Sequence, residues 1–401
     1  MQNIKPLTPK LRFPEFKDDW KEESFRNLTK INQGLQIPIS ERLTKEQNGS
    51  YFYITNEFLR ANSEKKYYIK NPSKSVICSE EDILMTRTGN TGTVVTNVSG
   101  AFHNNFFKIA YSKKLIKSFL YYYLILTNTQ NLILRLAGTS TIPDLNHSDF
   151  YRIKIQYPFL AEQQKIASFL TAVDTKINQL TKKKELLDQY KKGVMQKLFS
   201  QEIRFKDENG NDFPEWEEKR LSKITKYYDG THQTPNYVSR GIPFYSVEHV
   251  TANQFEQTKY ISKEVFDKEN KRVKLEKGDI LMTRIGNVGK AKYIDWDVKG
   301  SFYVSLALIK QGSSFSSKYL AQYINAEPFQ RELWKRIIHV AFPIKINLGE
   351  IGNCLVKLPC IEEQTRIANF LSAIDDKIEA VNTQIDKTTT FKRGLLQHMF
   401  V

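Results

Sequence analysis

PFLAEQQKIASFLTAVDTKINQLTKKKELLDQYKKGVMQKLF at residues 158–199 returns as PCIEEQTRIANFLSAIDDKIEAVNTQIDKTTTFKRGLLQHMF at residues 359–400. The two stretches align without a gap at an offset of 201 residues, and 15 of 42 positions are identical, among them Glu162/Glu363, Gln163/Gln364, Asp174/Asp375 and Gly193/Gly394. Each carries apolar residues in 4-3 spacing: Ile166, Leu170, Val173, Ile177, Leu180 and onward to Leu198, then Ile367, Leu371, Ile374, Ile378, Val381 and onward to Met399. Such a stripe is a coiled-coil seam, so each stretch is expected to be one long helix, a rod of roughly 60 Å at 1.5 Å per residue. Lys184, Lys191 and Lys392 interrupt the seam, where a polar group specifies register at some cost in stability. Pairing the two helices with each other is the simplest way to bury both stripes.

The duplication extends outward. Leu11-Arg12-Phe13-Pro14-Glu15-Phe16 with Trp20 opens the first half, and Ile203-Arg204-Phe205, then Phe213-Pro214-Glu215-Trp216, opens the second. Residues 1 to about 10 read as a frayed lead-in. Short aromatic and β-branched runs (51–55, 76–78, 83–86, 93–96, 106–111) between Gly, Asn and Ser clusters predict a small sheet. Residues 118–136 predict a helix. The same plan recurs with strands at 242–247, 279–283, 291–294 and 302–309, and a helix at 317–338. The expected fold is α+β: two α/β domains at 1–157 and 201–358, and two long antiparallel helices at 158–200 and 359–401, related by pseudo-twofold symmetry.

Sixty Lys and Arg against 44 Asp and Glu leave the 401-residue chain at +16, which suggests a polyanionic partner without singling out nucleic acid over an anionic membrane. Three cysteines without C-x-x-C spacing and six histidines without ligand spacing argue against a disulfide framework or a zinc site. No apolar run is long enough to span a bilayer, and the start lacks a signal-peptide pattern, so a cytoplasmic protein without a membrane role is expected. No catalytic constellation stands out. The chain has no Pro-Pro pair for an amino-methyltransferase motif and no G-x-G-x-x-G, while Glu64-x-Lys66 and Glu269-x-Lys271 are chance-level fragments of a nuclease motif.

The sharpest short repeat is Asp82-Ile-Leu-Met-Thr-Arg87-Thr-Gly89-Asn90-Thr-Gly92 against Asp279-Ile-Leu-Met-Thr-Arg284-Ile-Gly286-Asn287-Val-Gly289, followed by Lys290. A strand runs into a turn that exposes backbone N–H groups, and Arg87 or Arg284 beside it can hold a phosphate or pair with an acidic side chain of its own domain. If the halves bind different DNA sequences, shared residues build scaffold or hold phosphates and divergent ones read bases. The divergent polar segments are 33–37 against 229–234, 103–105 against 303–305, and 139–144 against 340–345. They supply the candidate DNA-facing residues Gln36, His103, Asn104, Asn105, Thr139, Ser140 and Thr141, and in the second half His232, Gln233, Thr234, Tyr303 and Lys345.

Together, P-x-x-x-E-Q-x-x-I-A-x-F-L leading twice into a long helix, the repeated D-I-L-M-T-R-x-G-N-x-G and the F-P-E/W openings resemble the specificity subunits of Type I restriction-modification systems, over essentially the whole chain. The resemblance implies two target recognition domains that read the halves of a gapped double-stranded DNA site, with the helices as the ruler between them. It implies no catalysis and no cofactor in this chain. Two modification subunits would methylate adenine with S-adenosylmethionine, and restriction subunits would use ATP and Mg2+ to translocate and cut DNA. A rigid ruler matches half-site centres about one helical turn, roughly 34 to 36 Å, apart, and a duplicated surface suits two copies of one partner. Glu162, Gln163, Glu363 and Gln364 are candidates for docking that partner; the alternative is an acidic preference of helix starts. The family's motifs fix no base contact, so the base-reading residues rest on divergence. A coiled-coil scaffold without DNA function, and a stand-alone methyltransferase or nuclease, are the competing functions.

Overall fold

A computed structural model describes residues 8–60 and 63–401; most of the expected lead-in lies outside them. The chain forms two compact units. Unit one joins the residues up to Thr181 with Thr383–Val401, and unit two is Lys182–Asn382. The first long helix, Leu160–Phe199, begins in unit one and ends in unit two, and the second, Ile361–His398, begins in unit two and ends in unit one.

In unit one, β1 (Lys21–Ser24) pairs antiparallel with β10 (Lys154–Tyr157) at the foot of the first long helix. Two four-stranded sheets lie between. One has the order β2-β9-β6-β7, from Thr29–Gln33, Phe106–Tyr111, Ile83–Thr86 and Val94–Val95. The other has the order β4-β3-β8-β5, from Tyr68–Lys70, Ser50–Ile54, Gly100–Phe102 and Ile77–Cys78, with β3 and β8 parallel. Strand β6 is buried on both faces because it lies between layers. Ile83 and Met85 enter the helix-side core with Phe107 and Ile109, while Leu84 enters the core of the other sheet with Phe102 and Phe106, as the two-residue side-chain period of a strand requires.

Unit two repeats this. Strand β11 (Glu217–Arg220) pairs with β20 (Leu355–Leu358). One sheet has the order β12-β19-β16-β17 (Tyr227–Asp229, Leu306–Ile309, Ile280–Thr283, Ala291–Tyr293), and the other β13-β15-β14-β18 (Tyr237–Val238, Lys259–Ile261, Ile242–Tyr245, Ser301–Phe302). Ile280 and Met282 face one core and Leu281 the other. The expected single strand over 302–309 is two, β18 and β19, in different sheets.

The helix expected over 118–136 is also two, Lys117–Ile125 and Thr127–Ala137, broken at Leu126, whose backbone is extended. Likewise 317–338 divides into Ser317–Ile324 and Glu327–Trp334, with Pro328 in the first turn of the second piece. One device accounts for both breaks. The Gln130 amide donates to Leu124 O at the break (2.6 Å) and to Gly92 O (2.9 Å), and Gln330 donates to Ile324 O and Gly289 O (2.7 Å each). A duplicated glutamine thus ties the break to the G-N-x-G turn.

Every position of the 4-3 stripe is buried or half-buried in both long helices. Within unit one, Lys392 meets Asp174 at 2.5 Å, while Phe400 packs on Phe119 and Trp20 near the start of the first helix. The two helical segments there run antiparallel. Within unit two, Lys191 meets Asp375 at 2.6 Å and Phe199 packs on Tyr319 and Tyr323, again antiparallel. Two of the seam lysines are thereby matched to the aspartate that both copies share; Lys184 bonds instead to Asp188 along its own helix.

Candidate nucleic-acid interface

The repeated strand–turn is a stiff hub. Thr86 donates its hydroxyl to Asn90 O and accepts from the Thr93 N–H (2.9 Å), and Gly92 N donates to Thr86 O at 2.9 Å. Thr283, Asn287, Lys290 and Gly289 make the same set. Both glycines of each turn have positive φ, between 79° and 93°, a region that a side chain disfavours.

The arginine after the strand joins the divergent segments through its backbone. Arg87 N donates to Asn105 O (2.7 Å) and Leu145 N to Arg87 O (2.8 Å); Arg284 N donates to Ser305 O (2.9 Å) and Ile346 N to Arg284 O (3.0 Å). The three divergent segments of each unit therefore converge. In unit one, Leu35 bridges His103, the Asn104 amide donates to Gln36 Oε1 (3.1 Å), the Gln33 amide donates to Asn104 O (3.1 Å), and Thr88 bridges Asp144. In unit two, Thr231 bridges Tyr303, Thr234 Oγ1 lies 3.2 Å from the Tyr303 hydroxyl, and Ile285 bridges Lys345. Crossing at this density requires Gly34 and Gly230: a Cβ there would stand 2.2 Å from Phe102 O and 2.3 Å from Phe302 O, respectively. Neither glycine was singled out from the sequence, although both lie inside the divergent segments 33–37 and 229–234.

Of the two roles open to the arginines, the structure adopts pairing within the domain. Arg87 Nη2 lies 2.8 Å from Asp144 Oδ2, its Nε donates to Leu145 O, and the guanidinium covers the Phe107 ring. Arg284 Nε donates to Ile346 O, and its Nη1 lies 3.6 Å from Asp229 Oδ2. Burial holds the Arg284 guanidinium below its usual range, against the pull of Asp229. Burial alone would raise the Asp229 carboxyl, but hydrogen bonds from Arg272 and His232 keep it below the usual carboxylate range. His232 is thus engaged with Asp229, and Arg87 and Arg284 each lie beside an acidic side chain of their own domain.

The remaining candidates face solvent to different degrees. Gln36, Asn90, Thr139, Ser140, Thr141, Gln233, Thr234, Asn287, Lys290 and Lys345 are exposed, and His103, Asn104, Asn105 and Tyr303 are half-buried. Burial and nearby Arg42 lower the His103 pKa, and its Nδ1 accepts from Asn105 N, so at neutral pH the ring is uncharged with its proton on Nε2. Arg42 itself donates to Ile37 O and lies against Tyr53 and Tyr67, anchoring the segment that carries Gln36.

Arg284→Ala should lower affinity for a specific duplex by about 10- to 100-fold through loss of the loop anchor, while the slope of log K against log salt stays unchanged because no phosphate contact is lost. Lys290→Ala, on the exposed turn, should flatten that slope by about one. Binding titrations of the assembled complex across salt concentration distinguish the two.

The helix-start residues proposed for docking are interior. Glu162 is 2% and Glu363 0% exposed; Gln163 and Gln364 are 0% and 1%. Glu162 accepts from Arg12 Nε and Nη2 (2.8 Å each) and from Trp20 Nε1 (3.3 Å), and Glu363 from Arg204 (3.1 and 2.9 Å) and Trp216 (3.0 Å). Gln163 bridges Ile116 N, Lys114 O and Pro158 O, and Gln364 bridges Ser316 N and Pro359 O. A side chain with its polar atoms satisfied inside its own unit offers a partner nothing, so the docking assignment is corrected: these residues clamp each opening segment to a helix start. Among the described residues, no group of three or more His, Cys, Asp and Glu is arranged to hold a metal, and no helix is long and apolar enough to cross a membrane.

The pattern of the Type I restriction modification DNA specificity domain matches twice, at residues 17–188 and 214–389. The Type I restriction enzyme MjaVIII specificity subunit of Methanocaldococcus jannaschii is 26% identical over 96% of this chain and 92% of its own length. The EcoBI specificity subunit of Escherichia coli is 23% identical over 96% and 86%. In fold, the chain is similar to the S subunit of a Type I system from M. genitalium, with a TM-score of 0.66 at 17% identity over 98% of this chain and 99% of that one. With its doubled domain, its doubled helix and full-length relatives of this kind, the chain belongs to the Type I restriction-modification DNA specificity family, whose members recognise DNA sequence within a complex and leave catalysis to partner subunits.

Proposed function

We propose that the loop cluster of each unit reads one half of a two-part double-stranded DNA site and that the long helices set the gap between the halves. Hub and clamp are the same in both units, while Gln36, His103, Asn104 and Thr139–Thr141 in the first correspond in sequence to the segments that carry Gln233, Thr234, Tyr303 and Lys345 in the second. That contrast carries the reading: shared residues support, and divergent residues discriminate. Asn and Gln suit adenine edges and Lys suits guanine, while Asn90, Asn287 and Lys290, on the turns, suit phosphates. Two modification subunits that transfer methyl groups from S-adenosylmethionine to adenine, and restriction subunits that use ATP and Mg2+, would assemble on this chain in the cytoplasm. Flipping of the target base would be the partner's work.

The adenine methylome of cells expressing the cognate modification subunit, with and without this chain, tests the reading. A gapped two-part motif is expected only when the chain is present. No new motif, with the modification subunit shown to be bound, would leave a coiled-coil scaffold without a role in DNA reading.

A further inference from the structure

Two pairs of equivalent positions, one in the second helix piece and one on the loop that follows it, expose large apolar side chains. Leu134 and Ile142 in unit one are 44% and 62% exposed, and Trp334 and Phe342 in unit two are 62% and 104% exposed. The correspondence is secure, because Gln130/Gln330 and Pro143/Pro343, on either side, are also 200 residues apart. The side chains differ between the copies, but in each they are apolar and exposed.

Ile142 and Phe342 sit on tight, well-anchored loops. In unit two, Ile338 N donates to Lys345 O (2.8 Å), Ala341 N to Ile338 O (3.3 Å), and Gly286 N, from the hub turn, to Ile344 O (2.8 Å). Phe342 lies at the tip, and Trp334 packs against His339 at its base, with ring centroids 4.5 Å apart. In unit one, Asp144 N donates to Ala137 O (3.1 Å), Thr91 Oγ1 to Pro143 O (2.6 Å) and Ser140 Oγ to Ile142 O (2.8 Å). Each tip thus projects from a framework held by the same hub that positions the candidate base-reading residues. A fully exposed phenylalanine contributes nothing to its own fold. Beside Lys345, in a chain of +16, the surface it meets is anionic, and the apolar surface within a polyanion is the stack of its bases.

We propose that Ile142 and Phe342 are wedges that insert between adjacent base pairs of their half-sites, as Phe, Ile and Leu do in proteins that kink DNA. The proposal rests on the two-part DNA reading above. It adds a second source of specificity: each half-site would favour an easily unstacked pyrimidine–purine step at the wedge, a preference that needs no base-edge contact.

The test uses the chain assembled with its modification subunit and a duplex carrying the methylated motif, with 2-aminopurine placed at successive positions. The wild-type complex should raise fluorescence several-fold at one step in each half-site. Phe342→Ala should abolish the rise in one half-site and weaken specific binding about tenfold without changing the salt slope, and Phe342→Leu should retain both. Because Phe342 is exposed, both variants should fold, as circular dichroism would show. Undiminished fluorescence and affinity in Phe342→Ala would overturn the wedge and leave the half-site reading intact. Loss of assembly with the modification subunit, with DNA binding by the chain alone unchanged, would make the tip a protein contact and also overturn it. Failure of the wild-type complex to prefer the motif would overturn the half-site reading and the wedge together.

Discussion

Glu363→Ala should lower the thermal unfolding midpoint of unit two by about 10 °C. The carboxylate is fully buried and takes two hydrogen bonds from Arg204, which is itself 17% exposed, and one from the Trp216 indole. Removing it strands a nearly buried guanidinium and an indole N–H. Breaking a buried pair from one side costs about 3–5 kcal/mol, and a domain of 150–250 residues loses about 2–4 °C per kcal/mol. Glu162→Ala should act in the same way on unit one through Arg12 and Trp20. Glu363→Gln, which keeps one acceptor, should lose less. Scanning calorimetry of the whole chain is the measurement. A shift below about 3 °C for both alanine variants would show that the clamp contributes little.

Exchanging residues 11–157 for the matching segment of another family member should change one half of the methylated motif and leave the other half as it was. The exchanged segment carries all three divergent loops of unit one together with the hub that holds them. What it must fit includes Arg12 on Glu162, Phe13 on Phe169, Trp20 and Phe119 on Phe400, Tyr122 on Asp174, and the core face of Ile166, Leu170 and Val173. A donor that keeps these contact residues should dock on the unchanged helices. Methylation mapping of the chimera reads the result. A change in both halves, or in neither, would mean that base reading is not divided between the two halves of the chain.

Much of the molecule was legible in the sequence because it is written in short-range order. A 4-3 stripe marks a helix seam wherever it occurs, and 15 identities in 42 positions at a constant offset mark a duplication without any knowledge of contacts. The strand of the D-I-L-M-T-R repeat was equally plain, since four successive apolar or β-branched residues before a glycine turn suit a strand buried on both faces. The helix breaks were less so. Pro328 was a visible signal for one, but Leu126 carries none, and the glutamine that holds each break open acts through a turn 38 or 41 residues away.

The sequence by itself determined the doubled architecture, the long helices and the family, because periodicity, repetition and motif spacing are properties of the chain. Only the tertiary structure decided where Glu162, Gln163, Glu363 and Gln364 point, what Arg87 and Arg284 hold, and that Ile142 and Phe342 stand at loop tips. The reason is distance along the chain. Arg12 lies 150 residues from Glu162, and Arg204 lies 159 from Glu363. Whether a charge is buried in a pair or left for a partner depends on which remote segment folds against it, and local pattern carries no record of that.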